Sequence, residues 1–191
     1  MSGDGQAYPS DDVIARGRRT TVRRKRMADA ADEYAWRSDE ELARFDASNP
    51  TRVPFVDYQR NWSFDLRFTD AGARSFAVED ERGRHIGNIM YYNYDGARLE
   101  AELGISIGRQ DCWSQGYGRD AVTAFVRHLF ETTELQRLYL HTLEWNERAY
   151  RAFAGAGFAR CRTAWRNGST FLVMELRREW LQSAAAREVV A

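Results

Sequence analysis

The 191-residue sequence has no run of apolar residues long enough to cross a bilayer, which excludes a membrane-spanning protein and predicts a soluble chain. Its first twelve residues lack the charged start and the apolar block of a signal peptide, so we expect a cytoplasmic location. Residues 1–17 are polar and rich in Gly, Asp and Ser, which predicts a disordered tail. The length that remains, 18–191, predicts a single domain.

Cysteine and lysine are also scarce. Cys112 and Cys161 are too few for a disulfide framework or a Cys-rich zinc site, so we expect reduced thiols and no metal. Lys25 is the only lysine among 28 basic residues, and 28 acidic residues balance them. A net charge of zero argues against nucleic acid as a partner, so the arginines of "TTVRRKRM" are interpreted as the solvated face of a strand.

The order of periodic segments predicts a mixed α/β fold, β-α-β-β-β-α-β-α-β-β. The first strand is Thr20 to Met27, one or two helices follow within 28–45, and the structure of 49–70 is left open. "SFAVED" and "HIGNIMYYNY" flank a turn-like "ERGR" and predict a hairpin. Asn167-Gly168 predicts a second hairpin near the end of the chain, and a polar helix begins at Trp180.

The clearest strand is "LEAELGISIG", Leu99 to Gly108, because its residues alternate strictly between two faces. One face is apolar, and the other is polar or small: Ala101, Leu103, Ile105 and Ile107 against Glu100, Glu102, Gly104 and Ser106. The pattern predicts a central strand with two carboxylates on one side.

A glycine-rich segment, "CWSQGYGRDA", enters the helix that follows this strand. Gly116 and Gly118 permit positive φ and close approach, and backbone N–H groups at a helix start attract anionic oxygens. A simple turn would also explain the glycines. The segment also matches the dinucleotide fingerprint G-x-G-x-x-A, with Glu144 as a candidate ribose ligand. That fingerprint places its first glycine directly after the strand, whereas seven residues, Arg109 to Gln115, intervene here, so dinucleotide binding is the distant alternative.

Two motifs in order resemble those of the GNAT N-acetyltransferases. "CWSQGYGRDA" resembles their acyl-CoA loop, Q/R-x-x-G-x-G/A, and "HTLEWNERAYRAFAGAGF" resembles N-x-x-A-x-x-x-Y-x-x-x-G-F. Trp113 stands at the first loop position, as in the branch that acetylates the N-termini of ribosomal proteins, and the late "RNG" hairpin resembles that branch too. The likeness runs from about Thr20 to Arg178.

The resemblance implies the GNAT fold: a mixed, mostly antiparallel twisted sheet of about seven strands flanked by helices, with a splayed central parallel pair that receives pantetheine. It implies pantetheine contacts from the backbone of Ile105, Ser106 and Ile107 and from Asn146. It also implies that backbone amides hold the pyrophosphate of acetyl-CoA: those of Gln115, Gly116, Tyr117, Gly118, Arg119 and Asp120.

The candidates for proton transfer are Glu102, His141 and Tyr150. Glu102 lies fourteen residues before Gly116, which resembles the register of the family's general-base glutamate, and is the first candidate; pairing with an arginine would also explain it. His141, five residues before Asn146, is the reserve base. The family's usual acid, a tyrosine, is replaced by Phe153, which lines the cofactor site without donating a proton, and Tyr150 is the substitute acid.

The sequence therefore predicts an acetyl-CoA-dependent N-acetyltransferase, an enzyme of the acyltransferase class, whose leading acceptor is a protein or peptide N-terminus. A small amine, such as a polyamine or an aminoglycoside, and a noncatalytic acyl-CoA-binding module are the alternatives. Five aromatic residues could line the acceptor cleft: Trp36, Phe55, Tyr58, Trp62 and Phe64. A homodimer stays open as the assembly.

Overall fold

The structure, a computed structural model, describes residues 12–66 and 73–181. Its strands are β1 Val13–Arg16, β2 Thr21–Arg23, β3 Arg74–Glu79, β4 His85–Asp95, β5 Glu100–Ile107, β6 Arg137–Leu143, β7 Ala159–Arg166 and β8 Ser169–Arg177. Its helices are α1 Ala30–Ser38, α2 Glu40–Phe45, α3 Phe55–Asp65, α4 Tyr117–Thr132 and α5 Glu147–Gly155. In the part of the chain so described, no helix has the length and hydropathy needed to span a bilayer.

The eight strands form one sheet in the order β1-β2-β3-β4-β5-β6-β8-β7. Every neighbouring pair is antiparallel except β5 and β6, which run parallel. The predicted mixed, mostly antiparallel sheet with a central parallel pair is confirmed. Helix α4 supplies the crossover that a parallel pair requires.

The extra strand is β1, which lies inside the segment predicted as a disordered tail. Val13–Arg16 pairs antiparallel with β2, so the prediction is wrong for these residues. The backbone hydrogen bonds to β2 and the burial of Ala15 order a segment whose composition is otherwise polar. Residues 1–11 lie outside the described residues.

The core forms between one face of the sheet and helices α4 and α5. Ala101 and Leu103 on β5 are fully buried against it, as their alternation predicts. Helix α4 contributes the stripe that repeats at helical spacing: Ala121, Val122, Phe125, Val126, Leu129 and Phe130. The opposite face of β5 carries Glu102, which the core therefore does not cover.

Several local predictions are refined by the structure. The first predicted strand shortens to β2, because a 3₁₀ turn begins at Met27. The segment left open contains α3, which starts after Pro54. Asn167 and Gly168 both have positive φ, 47° and 78°, and close the β7–β8 hairpin as predicted. Residues 178–181 are helical, and the rest of the predicted terminal helix lies outside the described residues.

Candidate active site

The parallel strands β5 and β6 pair over only three residues and then separate. Their register runs from Glu100 opposite Arg137 to Glu102 opposite Tyr139. Beyond it, β5 stays paired with β4 as far as Ile107, and β6 stays paired with β8 as far as Leu143. The sheet is therefore open at its centre between two edges that are each held from outside.

A cavity of about 830 Å³ is lined by residues of β5 and β6 at this opening. Most residues predicted for cofactor binding, and the reserve base, line it: Ile105, Ser106, Ile107, Gln115, Gly116, Tyr117, Gly118, Arg119, Asn146, Phe153 and His141. Glu102, Asp120 and Tyr150 are described residues that do not line it.

The start of α4 presents backbone N–H groups to this cavity. Gly116 is the N-cap residue, adopts φ +88° and provides no side chain to cap the helix. The first backbone hydrogen bond of the helix runs from Asp120 N–H to the Gly116 carbonyl. The amides of Tyr117, Gly118 and Arg119 precede that bond and are the ones that a helix leaves for an anion.

The prediction for Asp120 is corrected, because its amide belongs to the helix and its carboxylate binds elsewhere. The carboxylate accepts hydrogen bonds at 2.8–3.0 Å from the amides of Arg18, Arg19 and Thr20 and from the Thr20 hydroxyl. Burial alone would raise the pKa of Asp120, but these hydrogen bonds outweigh it and lower the pKa. Asp120 therefore fixes the turn between β1 and β2 against the start of α4.

The same turn supports the glycine loop from outside. Arg19 donates to the Gln115 carbonyl at 2.6 Å and to the Tyr117 hydroxyl at 2.7 Å. The Tyr117 hydroxyl donates to Glu81 at 2.8 Å, and Arg19 pairs with Glu81 at 2.9 Å. These contacts hold the loop in one conformation, so less ordering is required when an anion binds.

Asp120→Ala should loosen this support. We expect the free energy of unfolding to fall by about 1–3 kcal/mol, because three backbone donors and a hydroxyl lose a charged acceptor. The affinity for CoA should fall by about tenfold, since the loop must then be ordered by the ligand. Denaturant unfolding and calorimetric titration with CoA measure the two effects. Unchanged values for both would contradict the role assigned to Asp120.

An aromatic cluster closes the cavity beside the loop. The Trp113 indole donates to the Ile107 carbonyl at 2.6 Å, so this carbonyl already has a partner. The Arg148 guanidinium lies 3.6 Å from the Trp113 ring centroid and 4.6 Å from that of Phe45. Burial lowers the pKa of Arg148. Sequence reasoning missed Phe45 and Arg148, because α2 and α5 are brought together only by the fold.

Asn146 combines a structural and a site position. Its side-chain oxygen accepts a hydrogen bond from the Ala149 amide at 3.2 Å and caps α5, as predicted. The residue is buried and lines the cavity. Since the cap uses only the oxygen, the Asn146 amide nitrogen keeps its donor capacity for a ligand carbonyl.

The side chains of Glu102 and His141 contact each other near the opening between β5 and β6. His141 Nδ1 is 2.6 Å from Glu102 Oε1. The same carboxylate accepts from the Tyr92 hydroxyl at 3.1 Å and from the Asn93 side-chain amide at 3.0 Å. Glu102 is 4% exposed, and the arginine partner considered as an alternative belongs instead to Glu100, which pairs with Arg137 at 2.7 Å.

Two further sets of side chains that were predicted for the active site do not lie at the cavity. Helix α5 directs Ala149, Ala152 and Phe153 to the cavity, whereas Tyr150 packs against the core, so the structure does not place its hydroxyl at the reaction centre. The five aromatic residues predicted for the acceptor cleft do not line the cavity either. They pack in the α1–α3 region, as in the Tyr58–Trp62 stack. The first two helices contribute other residues to the cavity: Arg37, Leu42 and Phe45.

No cluster of His, Cys, Asp or Glu side chains suited to a metal ion occurs within 12–66 and 73–181. Cys112 is buried and Cys161 is exposed, and both are free thiols.

Comparison with known proteins gives a consistent result. A family model described as an acetyltransferase (GNAT) domain matches residues 19–159. A spermidine N-acetyltransferase from Vibrio cholerae, solved with CoA and spermine, is 19% identical over 84% of this chain and 96% of its own, with a TM-score of 0.73. The aminoglycoside acetyltransferase AAC(6')-Ib with coenzyme A is 20% identical over 86% and 98%, with a TM-score of 0.70.

A GNAT-family acetyltransferase from Bacillus anthracis is 16% identical over 86% of this chain and 98% of its own, with a TM-score of 0.72. None of the curated proteins compared with the chain matches it. These structural likenesses show the fold, and the match over 19–159 covers more than half of the sequence.

Proposed function

The chain belongs to the GNAT family of acetyltransferases, and from that premise we propose that it transfers the acetyl group of acetyl-CoA to a primary amine of a small molecule. The observation that carries the proposal is the open centre of the sheet beside the amides that begin α4. An extended chain of amides with a pyrophosphate at one end fits an unpaired strand edge next to a helix start.

The direction in which the backbone groups of β5 point reduces the number of residues that can contact pantetheine. Along a strand, the backbone groups of alternate residues point to the same edge, so Ile105 and Ile107 share one edge and Ser106 faces the other. The indole of Trp113 donates to the Ile107 carbonyl and does not belong to β4. The edge of β5 that carries the Ile107 carbonyl therefore faces the opening and not β4. We therefore assign the pantetheine contacts to Ile105 and to the N–H of Ile107.

The charges around the cavity suit an anionic cosubstrate. Arg119, Arg148 and Arg151 line it near the start of α4. The acceptor side is different in character, since Met90, Tyr92 and Phe171 are apolar or aromatic and Asp46 is the one carboxylate among the described lining residues. Burial raises the pKa of Asp46, and the charge of Arg37, which also lines the cavity, partly opposes that shift.

A small-molecule acceptor agrees with the similar structures that were solved with spermine and with kanamycin. The acceptor class also decides how much help the enzyme must give. An amine with a pKa near 10.4 requires about 4.6 kcal/mol to become neutral at pH 7, whereas an α-amine near 8 requires about 1.4 kcal/mol. A protein or peptide N-terminus stays the second candidate, which Trp113 at the first loop position favours.

Acetyl-CoA should stabilise the protein against heat, and NAD(H) should not. At a concentration about 100 times its Kd, a ligand of the native state adds about 2.7 kcal/mol, which corresponds to a rise in Tm of about 5–10 °C for a chain of this length. A thermal shift series with acetyl-CoA, CoA and NAD(H) measures this. Stabilisation by NAD(H) alone would favour the dinucleotide alternative and overturn the assignment of the cavity.

A screen for CoA release separates the remaining functions. We expect turnover with polyamines or aminoglycosides, and little with peptides that have free N-termini. Turnover with peptides only would select the N-terminal acceptor. Binding of acetyl-CoA with no turnover across both sets would identify a noncatalytic acyl-CoA-binding module.

A further inference from the structure

Among the described residues, two histidine ring nitrogens are buried without a hydrogen-bond partner, His85 Nδ1 and His141 Nε2. His85 lies 3.4–3.7 Å from Asp32 and Asp29, in a group of ion pairs away from the cavity. His141 lines the cavity, and its side chain is 8% exposed. A buried polar atom without a partner requires an explanation, because the loss of hydration costs about 1–3 kcal/mol.

The partner of the other ring nitrogen fixes the tautomer of His141. Glu102 Oε1, at 2.6 Å from Nδ1, is a carboxylate oxygen and can only accept a hydrogen bond. In the neutral imidazole the proton therefore resides on Nδ1, and Nε2 carries the lone pair. The buried nitrogen without a partner is thus a proton acceptor on a residue that lines the cavity.

The carboxylate that sets this tautomer is itself held in place from β4. The Tyr92 hydroxyl and the Asn93 amide donate to its two oxygens. Asn93 reaches Glu102 from a backbone with φ +52°, where the β4–β5 register shifts between Tyr92 and Asp95. Such conformations cost energy and occur where the surrounding structure imposes them. The irregularity in β4 therefore serves to orient Glu102.

On the basis of the acetyl transfer proposed above, we propose that His141 Nε2 is the general base and that Glu102 is a positioning residue that acts through it. Nε2 takes one proton from the substrate ammonium, and Glu102 stabilises the imidazolium that forms. The neutral amine nitrogen then attacks the thioester carbonyl, and the C–N bond forms. The C–S bond breaks, the sulfur leaves as a thiolate that takes the second proton from the former amine nitrogen, and the imidazolium returns its proton to water.

This assignment reverses the order of the sequence candidates, for a geometric reason. Both Glu102 oxygens have donors from protein, and the residue does not line the cavity, so the carboxylate lacks direct access to an amine. His141 lies between the carboxylate and the cavity. A base must reach the proton it removes directly or through one water, and of these two residues only His141 lines the cavity.

Titratable and charged groups from four strands surround the Glu102–His141 pair. Glu102 contacts His141 from β5, Tyr92 on β4 donates to Glu102, and Tyr139 on β6 has its ring centroid 6.0 Å from that of His141. Arg166 on β7 acts on both tyrosines. Burial and the charge of Glu102 raise the pKa of Tyr92, so its hydroxyl stays a donor to Glu102 at every pH of the assay.

His141→Asn tests the base directly, because its amide nitrogen can still donate to Glu102 while the basic nitrogen is lost. We expect kcat to fall by about 10²-fold or more at pH 7. The stabilisation by acetyl-CoA should stay unchanged. The loss should shrink toward pH 9.5, because the amine then gives up its proton to water. His128→Asn, on the outer part of α4, is the matched control and should keep full activity.

Glu102→Gln separates positioning from direct catalysis. Gln can still accept from Nδ1, so we expect a loss of about 10-fold to 10²-fold that also shrinks as the pH rises. In the His141→Asn background the same change should cost little more, since both act on one proton transfer. A larger loss from Glu102→Gln alone than from His141→Asn alone would return the role of base to Glu102 and overturn the proposal.

The tautomer gives a readout that needs no turnover. Nitrogen NMR of the histidine side chains should show neutral His141 protonated on Nδ1, and Glu102→Gln should change that signal. Protonation on Nε2 would overturn the inference even if the enzyme is active. An Nδ1 tautomer in a protein that binds acetyl-CoA but acetylates no amine would instead contradict the proposed function and, with it, the role of base.

Discussion

Gly118→Val should abolish acetyl-CoA binding while the protein stays folded. A Cβ at residue 118 would meet Ile107 and Ala152 at 3.8 and 4.0 Å, which are ordinary contacts, so the fold has room for a Cβ there. A branched side chain would nevertheless stand beside the N–H groups that precede the first helical hydrogen bond of α4, where the pyrophosphate is expected. Calorimetric titration should show at least a 10²-fold loss of affinity, about 2.7 kcal/mol.

Thr123→Val is the matched control for this change. It places the same side chain on the same helix, at an exposed position within two turns of the loop. The affinity for CoA should stay unchanged. Both variants should unfold within about 1 kcal/mol of the native sequence. If Gly118→Val binds acetyl-CoA normally, the pyrophosphate site lies elsewhere.

The glycine loop could be predicted because its information is local. Positive φ at Gly116 and the cap by Asn146 depend on residues a few positions away, and both appear in the structure as expected, whereas Gly118 lies within α4 and does not have positive φ. The assignment of the Asp120 amide is corrected because this amide makes the first hydrogen bond of the helix, to the Gly116 carbonyl. The support from the Asp120 carboxylate could not be predicted, because its partners, Arg18 to Thr20, lie about a hundred residues earlier in the sequence.

The predictions for the sheet differ in the same way: those that depend on local sequence hold, and those that depend on distant residues do not. Alternation along β5 predicted which side chains enter the core, but β1 has four residues of mixed polarity and is ordered by its pairing with β2 and by the burial of Ala15 in the core. The Glu102–His141 contact follows from the parallel register of β5 and β6, because Glu102 lies opposite Tyr139 and His141 is the next residue on that face. Neither pattern alone contains that register.

The position of α1, which contributes to the lining of the cavity, depends on a group of buried charged residues near the start of this helix. Arg23 on β2 donates to Asp29 at 2.7 and 2.8 Å and to Glu79 on β3 at 2.5 Å. All three residues are 3% exposed. Asp29 also accepts from the Arg26 amide at 2.7 Å and precedes α1, so these bonds tie the sheet to the helix that carries Arg37 to the cavity.

Arg23→Met should therefore destabilise the protein strongly. The methionine preserves much of the side-chain volume but leaves Asp29 and Glu79 without their shared cation, and removal of one partner from a buried ion pair typically costs about 3–5 kcal/mol. For a chain of this length, that corresponds to a fall in Tm of about 6–20 °C. Arg52→Met is the matched control, because Arg52 pairs with Glu40 on the surface, and it should cost less than about 1 kcal/mol.

The pH dependence of this loss identifies its cause. Burial alone would raise the pKa of Asp29, but the hydrogen bonds from Arg23 and from the Arg26 amide outweigh it and lower the pKa. A depressed pKa contributes stability above the ordinary carboxyl value, near 3.8, and that contribution disappears as the pH falls through the folded value. Without Arg23, burial acts unopposed by that guanidinium and favours protonation of Asp29, so the difference between native and variant should narrow from pH 7 to pH 4. Denaturant unfolding at several pH values measures it, and a loss as small as that of Arg52→Met would show that the buried ion pairs do not hold α1 to the sheet.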